Sequence, residues 1–586
     1  NYKKHWLRNI KKSLSNNFSG NNHNFLSRFQ AVSAREAMIM MTAALGIGII
    51  CGIIAVGLNL SVHTMSYYIT RLDLGWKSIF FPALGGGIAI FLVRNIFKDL
   101  ESHGVPSVIK AITMGSESLK RRMIFSRSLG SIFTVGSGGS TGLEGPIVCI
   151  GGAIGSTLGR WMEMNERHKK LFIGYGAAGA VAGIFNAPLT GLIFSLEIII
   201  GEWSFLTILP TIIAAVSATE LSRYIMGDKI TFYHEIEIFS FTSLIACFAL
   251  GALTGIVSVF YVRSLLFWEK IFSNISFKLW IRAIIGGFIV GIIGYFMPEI
   301  LSEGYSVTQT FLTSNIRSEI DFVILFILLK FIASGITLGS GGVGGVFAPS
   351  LVIGSGIGLT FGMILHVLPL NGIADESAFA LAGMAGMVAG VMHGPLTGIF
   401  LVMELTRGYS MILPLMLTAS SAMVITYFFE IGSVYTQDLI KQGSLVKRGT
   451  DRSLLLHLDI RDILDKDFLS IQEDLLLKDF INVFKRSHRN YFPVLDDFNQ
   501  CVGVVFLDDI RPYLFEETLY DLITMSSVMR NLPTISLNEP INAALEKFEI
   551  SKAWSLPVVD GKIFLGMLSK STLFDHYRIE LQIQAN

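Results

Sequence analysis

Two short stretches of this chain hold residues whose types and spacing can do chemistry. The first, Gly136-Ser137-Gly138-Gly139-Ser140-Thr141-Gly142-Leu143-Glu144-Gly145-Pro146, sets a single carboxylate among closely spaced glycines. The second, Gly339-Ser340-Gly341-Gly342-Val343-Gly344-Gly345-Val346-Phe347-Ala348-Pro349, repeats the pattern with Phe347 in place of the acid. Glycine weakens helical order and proline removes a ladder hydrogen bond, so neither stretch is expected to run through as continuous helix. Such backbone offers helix starts, whose first amides are unbonded and carry the positive end of the helix dipole, with Pro146 and Pro349 in the first turn where an N–H is dispensable. A helix start is a ready site for a small anion. Amide partial charges also suit a conducted ion, because transport needs binding strong enough to take the ion in and weak enough to let it go. Glu144 is itself an anion that fits a site of amide donors. Ionised, it competes with a bound ion; protonated, it leaves, which makes it a proton-sensitive gate. The plainer alternatives are an ordinary surface loop, with Glu144 capping its helix beside water.

Other chemistries have less to stand on. Gly138-Gly139-Ser140-Thr141-Gly142 spells GxSxG, but an apolar segment precedes it where a nucleophile elbow needs a strand. No HExxH and no paired aspartates occur in the apolar segments, so no enzyme activity and no metal site are expected. Cys51, Cys149, Cys247 and Cys501 lie far apart without CxxC spacing and read as small hydrophobes. A formal net charge of +1 gives no basic face for nucleic acid.

The elements that carry the two stretches belong in a membrane. Of the 586 residues 51% are hydrophobic and 16% charged, which points to a bilayer. Residues 1–36 hold seven basic residues against one acid, Glu36, and no cleavable signal pattern, which predicts a cytoplasmic arm. From about 37 to about 435 apolar segments follow one another, for example 37–61, 80–93, 322–336 and 411–429, some long enough to span and some too short or too glycine-rich. Lys120, Arg121, Arg122 and Arg127 precede the first glycine stretch and Arg160, Arg167, Lys169 and Lys170 follow it, so that segment is expected to enter the membrane and return to the same side.

An internal duplication ties the two stretches together. Residues 136–155 and 339–358 share ten identities in twenty, and 174–197 and 381–404 share eleven in twenty-four, with Pro188-Leu189-Thr190-Gly191 matching Pro395-Leu396-Thr397-Gly398 and Glu197 matching Glu404. Paired broken helices in matching places point to a transport site at the membrane midplane. The predicted architecture is a polytopic all-α membrane domain over 37–440, with halves at about 37–225 and 239–436 related as inverted repeats. After about Gln437 acids and bases return, and 441–586 reads as a soluble α/β tail. In that tail 469–510 and 534–573 repeat the order strand, helix, strand pair, as two modules at about 458–513 and 526–580.

These residues resemble the CLC family of chloride channels and chloride/proton antiporters, from about residue 37 to the end. Gly142-Leu143-Glu144-Gly145-Pro146 looks like the family's GxEGP motif, whose glutamate is the external gate, and Gly345-Val346-Phe347-Ala348-Pro349 looks like its GxFxP motif, whose amides hold the central anion. Tyr435 matches the tyrosine whose hydroxyl coordinates the inner chloride; by itself it would read as a membrane-interface anchor. The GSGIP motif appears as Ser102-His103-Gly104-Val105-Pro106, with His103 where the coordinating serine usually lies. An imidazole donates one hydrogen bond and gains charge near neutral pH, so selectivity and pH response are open, and the amides around Gly104 are the alternative donors. The resemblance implies an anion site of His103, Gly104, Val105, Gly145, Val346, Phe347 and Tyr435, gated by Glu144.

Coupling is where this sequence departs from the family pattern. Ile198 stands at the position of the antiporters' internal proton-transfer glutamate; Glu202, four residues on, is the candidate inner relay, expected to face the same side of a helix. Proton-coupled chloride exchange is the leading expectation, with a passive voltage- or pH-gated chloride channel as the alternative and a CBS-regulated cation channel as a remote one. The tail resembles the family's paired CBS modules, some of which bind adenine nucleotide. Here the first copy (Gly503 to Asp509) lacks the motif's hydroxyl and the second (Gly566 to Thr572) lacks its acid. The resemblance further implies a homodimer in the plasma (cell inner) membrane, both termini cytoplasmic, with chloride, protons and lipid as partners and no required cofactor.

Overall fold

The computed structural model describes residues 22–72, 75–99, 104–114, 119–228, 232, 239–313, 320–369, 372–441, 460–537, 539 and 541–576. The chain divides into two compact units, Asn1–Leu445 and Val446–Asn586.

The regular elements of the first unit are all helices among the described residues. Its first half holds α1 (Asn22–Arg71), α2 (Phe80–Phe91), α3 (Val105–Met114), α4 (Arg122–Gly136), α5 (Glu144–Trp161), α6 (Glu166–Phe185), α7 (Pro188–Phe194) and α8 (Phe205–Met226). The second holds α9 (Phe241–Ser273), α10 (Leu279–Phe296), α11 (Tyr305–Thr313), α12 (Ile320–Gly339), α13 (Phe347–Val367), α14 (Glu376–Met392), α15 (Pro395–Thr406), α16 (Ile412–Phe429) and the short α17 (Gln437–Lys441). Among the described residues seven helical runs, from Glu36–Arg71 to Tyr409–Phe429, are long and apolar enough to cross a membrane. Inside that shell α5, α6, α13 and α14 are almost wholly buried and rich in glycine and alanine. Small residues let these backbones touch: a methyl on Gly151 would overlap the carbonyl of Gly176, and in the second half one on Gly354 would meet the carbonyl of Gly383 at 2.5 Å.

Both glycine stretches break their helices as expected, α4 from α5 and α12 from α13, and the two breaks meet. Gly142 and Gly345 form a two-residue antiparallel bridge, each amide donating to the other's carbonyl at 3.0 and 2.8 Å. On either side the amide of Ser140 donates to Thr337 Oγ1 and the amide of Val343 to Thr134 Oγ1, both at 3.2 Å. Equivalent residues thus exchange equivalent bonds, the signature of a local twofold relation.

A second exchange joins α7 to α15. The carboxylate of Glu197 accepts from the amides of Leu396 and Thr397 at 3.1 and 2.8 Å and from Thr397 Oγ1 at 2.7 Å. Glu404 accepts in turn from Leu189 and Thr190 at 2.9 and 2.7 Å and from Thr190 Oγ1 at 2.6 Å. Each half supplies the cap that the other half's proline-started helix needs.

Of the basic residues before the first glycine stretch, Arg127 is buried on α4, 3.2 Å from Asp99, which is itself buried and bonded by Ser126 Oγ at 2.8 Å. A charge inside a membrane domain persists only when partnered, and Asp99 is the partner here.

In the second unit β1 (Ile471–Gln472), α18 (Leu477–Phe484), β2 (Tyr491–Leu495) and β3 (Cys501–Phe506) form one module. The second module repeats this with β4 (Ile535–Ser536), α19 (Ile541–Ser551), β5 (Ser555–Asp560) and β6 (Ile563–Ser569). In each module the first strand pairs parallel to the second, and the second antiparallel to the third. The α/β order expected of the tail is therefore present twice, each copy around its own apolar core, with Phe480 edge-on to Phe492 at 4.8 Å in the first.

Candidate anion pathway

Breaking α4–α5 and α12–α13 at the same depth brings three helix starts together: those of α3 at Val105, α5 at Glu144 and α13 at Phe347. They face a cavity of about 940 Å³ whose lining includes Gly104, Val105, Gly145, Val346 and Tyr435. Gly104 has φ of +68°, and a methyl there would lie 3.8 Å from Gly145 Cα, so the two segments touch through backbone. A methyl on Gly145 would come within 2.8 Å of the Gly344 carbonyl oxygen. Only a bare α-carbon keeps the first amides of α5 this close to α13.

The Tyr435 hydroxyl is buried beside this cavity and has no hydrogen-bond partner among the described residues. Leaving such a donor dry costs about 1–3 kcal/mol, and an anion among the helix starts would satisfy it. Farther out the cavity wall carries Lys110, Lys120 and Arg282 against Glu269 and Asp438, a balance that favours an arriving anion.

Glu144 is 3% exposed and does not line the cavity, although its neighbour Gly145 does. Its Oε1 accepts from the Tyr305 hydroxyl at 3.0 Å, while Oε2 is buried and meets no hydrogen-bond partner among the described residues. The Tyr305 ring is held edge-on by Phe232 at 5.7 Å. Phe347, the symmetry counterpart of Glu144, is buried and packs on Phe185 and Phe194 at 5.3 and 6.3 Å. Its side chain therefore belongs to the apolar packing, and the start of α13 offers backbone to the site.

Of the residues read from sequence as anion ligands, Gly104, Val105, Gly145, Val346 and Tyr435 line one cavity, and Phe347 follows directly at the helix start. His103 lies outside the described residues. Glu202 departs from expectation. The helix after Pro188 loosens into a π-turn at Ser195–Ile200 and stops at the left-handed Gly201, so Glu202 shares no helical face with Ile198; it is exposed and does not line the cavity. Sequence reasoning missed Tyr305, Glu303 and Lys330. For Lys330 a signal existed: a lone lysine in an apolar segment needs a partner, and its Nζ donates to the carbonyls of Ile300 and Ser302 at 2.9 and 2.8 Å.

Long apolar helices around two facing breaks, with buried polar groups converging on a cavity, define an integral membrane protein built by duplication. The model of the voltage gated chloride channel family matches residues 85–427, more than half of the chain, and the CBS domain model matches 460–516 and 523–578. The chain belongs to the voltage gated chloride channel (CLC) family and carries two CBS domains. It is 28% identical to the H(+)/Cl(-) exchange transporter ClcA of Vibrio parahaemolyticus, over 70% of this chain and 91% of that protein. It is 26% identical to the chloride channel protein CLC-f of Arabidopsis thaliana, over 91% of this chain and 80% of that one. The crystal structure of a slow cyanobacterial Cl-/H+ antiporter superposes with a TM-score of 0.65 at 25% identity, covering 69% of this chain and 98% of its own.

Proposed function

We propose that this protein moves chloride across a membrane in exchange for protons, with Glu144 as the gate. The observation that carries the reading is the pairing of an unpartnered Tyr435 hydroxyl on the cavity with a buried Glu144 carboxylate just beyond it, at the start of α5. Chloride is held by the amides of α3, α5 and α13 and by Tyr435. The ionised Glu144 carboxylate competes for the same donors, and its protonation releases them. The names of the relatives, an exchange transporter and an antiporter among them, support the substrate and the coupling.

A passive chloride channel is the second reading, favoured by one observation: neither Ile198 nor Glu202 supplies an acid that lines the cavity. Flux from purified protein in liposomes tests the pair. With voltage clamped by an ionophore, proton uptake against its gradient while chloride is driven is the expected result. Chloride movement without protons overturns the exchange reading.

The reading includes a homodimer in the plasma (cell inner) membrane with both termini in the cytoplasm. No cofactor is needed. We read the CBS pair as working without adenine nucleotide, because Arg530 engages the Asp509 carboxylate and the second copy carries Thr572 where the motif has its acid. Heat on titrating ATP, ADP or AMP into the purified protein would overturn that part.

A further inference from the structure

Glu303 has no place in the transport reading so far. It stands half-buried in the turn between α10 and α11, next to Ser302 and two residues before Tyr305, which bonds the gate. This turn lies away from the cavity. Leu279 and Arg282 at the start of α10 line the cavity, and the helix then runs 18 residues, about 27 Å at 1.5 Å per residue, before the turn begins. The turn is fixed in place: Ser302 Oγ donates to the carbonyl of Val135 at 3.0 Å, and the Ser302 amide donates to that of Gly138 at 3.4 Å. From α12 the fully buried Lys330 donates to the carbonyls of Ile300 and Ser302, and its Nζ would lie 3.2 Å from a methyl on Gly304, so its charge sits on both sides of Glu303 along the turn. From α11 Tyr305 donates to Glu144. Two carboxylates, one ammonium and one phenol therefore share a small volume behind the gate. With both acids ionised the group carries one net negative charge, and one added proton makes it neutral, so the acids compete for that proton.

We propose that Glu303 is a second proton-carrying group of the exchange cycle, passing protons between Glu144 and the water on the side of the protein away from the cavity. The inference rests on the reading of Glu144 as the gate. When protonated Glu144 is to return among the amides, its proton moves to the Glu303 carboxylate, directly or over one water, leaving Glu144 anionic and Glu303 neutral. Glu303 then gives the proton to bulk water and is again an anion beside Lys330. In the opposite direction the same steps load the gate. A solely structural Glu303 would do no more than help hold the turn against Val135 and Gly138.

Charge sign separates the two roles. Full-length protein in liposomes is assayed for chloride and proton flux against the pH of the side facing the turn. Removing the negative charge with Glu303→Gln eases ionisation of Glu144, so the flux midpoint moves to lower pH by on the order of one unit, and proton flux falls relative to chloride. Removing the positive charge with Lys330→Met moves the midpoint to higher pH. Glu303→Asp, which keeps the charge and sets it back by one methylene, should restore most of the wild-type midpoint, and it stands in if Lys330→Met does not fold. A wild-type midpoint and proton flux in Glu303→Gln overturn the inference alone. Wild-type flux that ignores pH, or a Glu144→Gln protein that keeps the wild-type response, overturns the gate reading and this inference with it.

Discussion

The two halves of the membrane unit are alike at their edges and different at their centre. At the edges the correspondence is residue for residue: Glu197 caps α15 as Glu404 caps α7, and Thr337 serves the Ser140 amide as Thr134 serves that of Val343. At the centre Glu144 faces Phe347 across the repeat, and Gly145 corresponds to Ala348. Bonds exchanged between equivalent residues hold the breaks together whichever half supplies them, so they build the scaffold. A gate needs one carboxylate at the anion site, because two anions competing for the same amide donors repel each other. Divergence at Glu144 and Phe347 is thus what turns a symmetric seam into a pathway with a single titrating plug.

The strongest way to break this comparison is at Glu144. In Glu144→Gln the carboxylate can no longer gain or lose a proton, and proton transport in liposomes should fall about a hundredfold or more, while chloride flux loses its pH dependence. Proton flux that survives would place the titrating group elsewhere and strip the asymmetry of its meaning.

Next in size come the two caps. Alanine at Glu197 leaves two amides and a hydroxyl at the start of α15 without their acceptor, and alanine at Glu404 does the same to α7. Each loss is expected to cost about 3 kcal/mol, seen as reduced thermal stability of the purified protein. The informative result is the match: costs differing by more than about 1 kcal/mol would mean that the halves are not energetically equivalent even at their edges.

How far these features could be read beforehand depends on whether their cause is local. The breaks at 136–145 and 339–348 were legible because glycine and proline act on their own backbone, and the duplication exposed their pairing. The two α/β modules of the tail were legible from strand and helix order for the same reason, and the family resemblance marked them as CBS modules. Tyr305 was not: it is one tyrosine among 16, and its contact with Glu144 spans 161 positions of chain. That Arg127 is buried was not legible either, because its aspartate lies 28 residues earlier, outside the basic run. Glu202 misled for a local reason that was given too little weight, the left-handed Gly201 that ends the helical face before it.

Tyr435 sharpens the central asymmetry at a smaller scale, since the second half alone supplies this hydroxyl to the cavity. Tyr435→Phe removes one donor to a bound anion and hardly changes the shape. About 1.4 kcal/mol, or tenfold, should be lost in chloride affinity measured by calorimetry. An unchanged affinity would return Tyr435 to the role of a packed aromatic at the end of the membrane domain.

The smallest effect tests the seam. Thr134→Val and Thr337→Val keep side-chain shape but leave the amides of Val343 and Ser140 without the hydroxyls they now reach at 3.2 Å. Each should cost about 1 kcal/mol, a typical net value for one hydrogen bond. Neither threonine lines the cavity, so chloride affinity should stay at the wild-type value while thermal stability falls by similar amounts in both. If one valine were harmless and the other costly, or if either changed chloride affinity, the seam would be part of the pathway. The division between a symmetric scaffold and an asymmetric gate would then have to be redrawn around the bridge of Gly142 and Gly345.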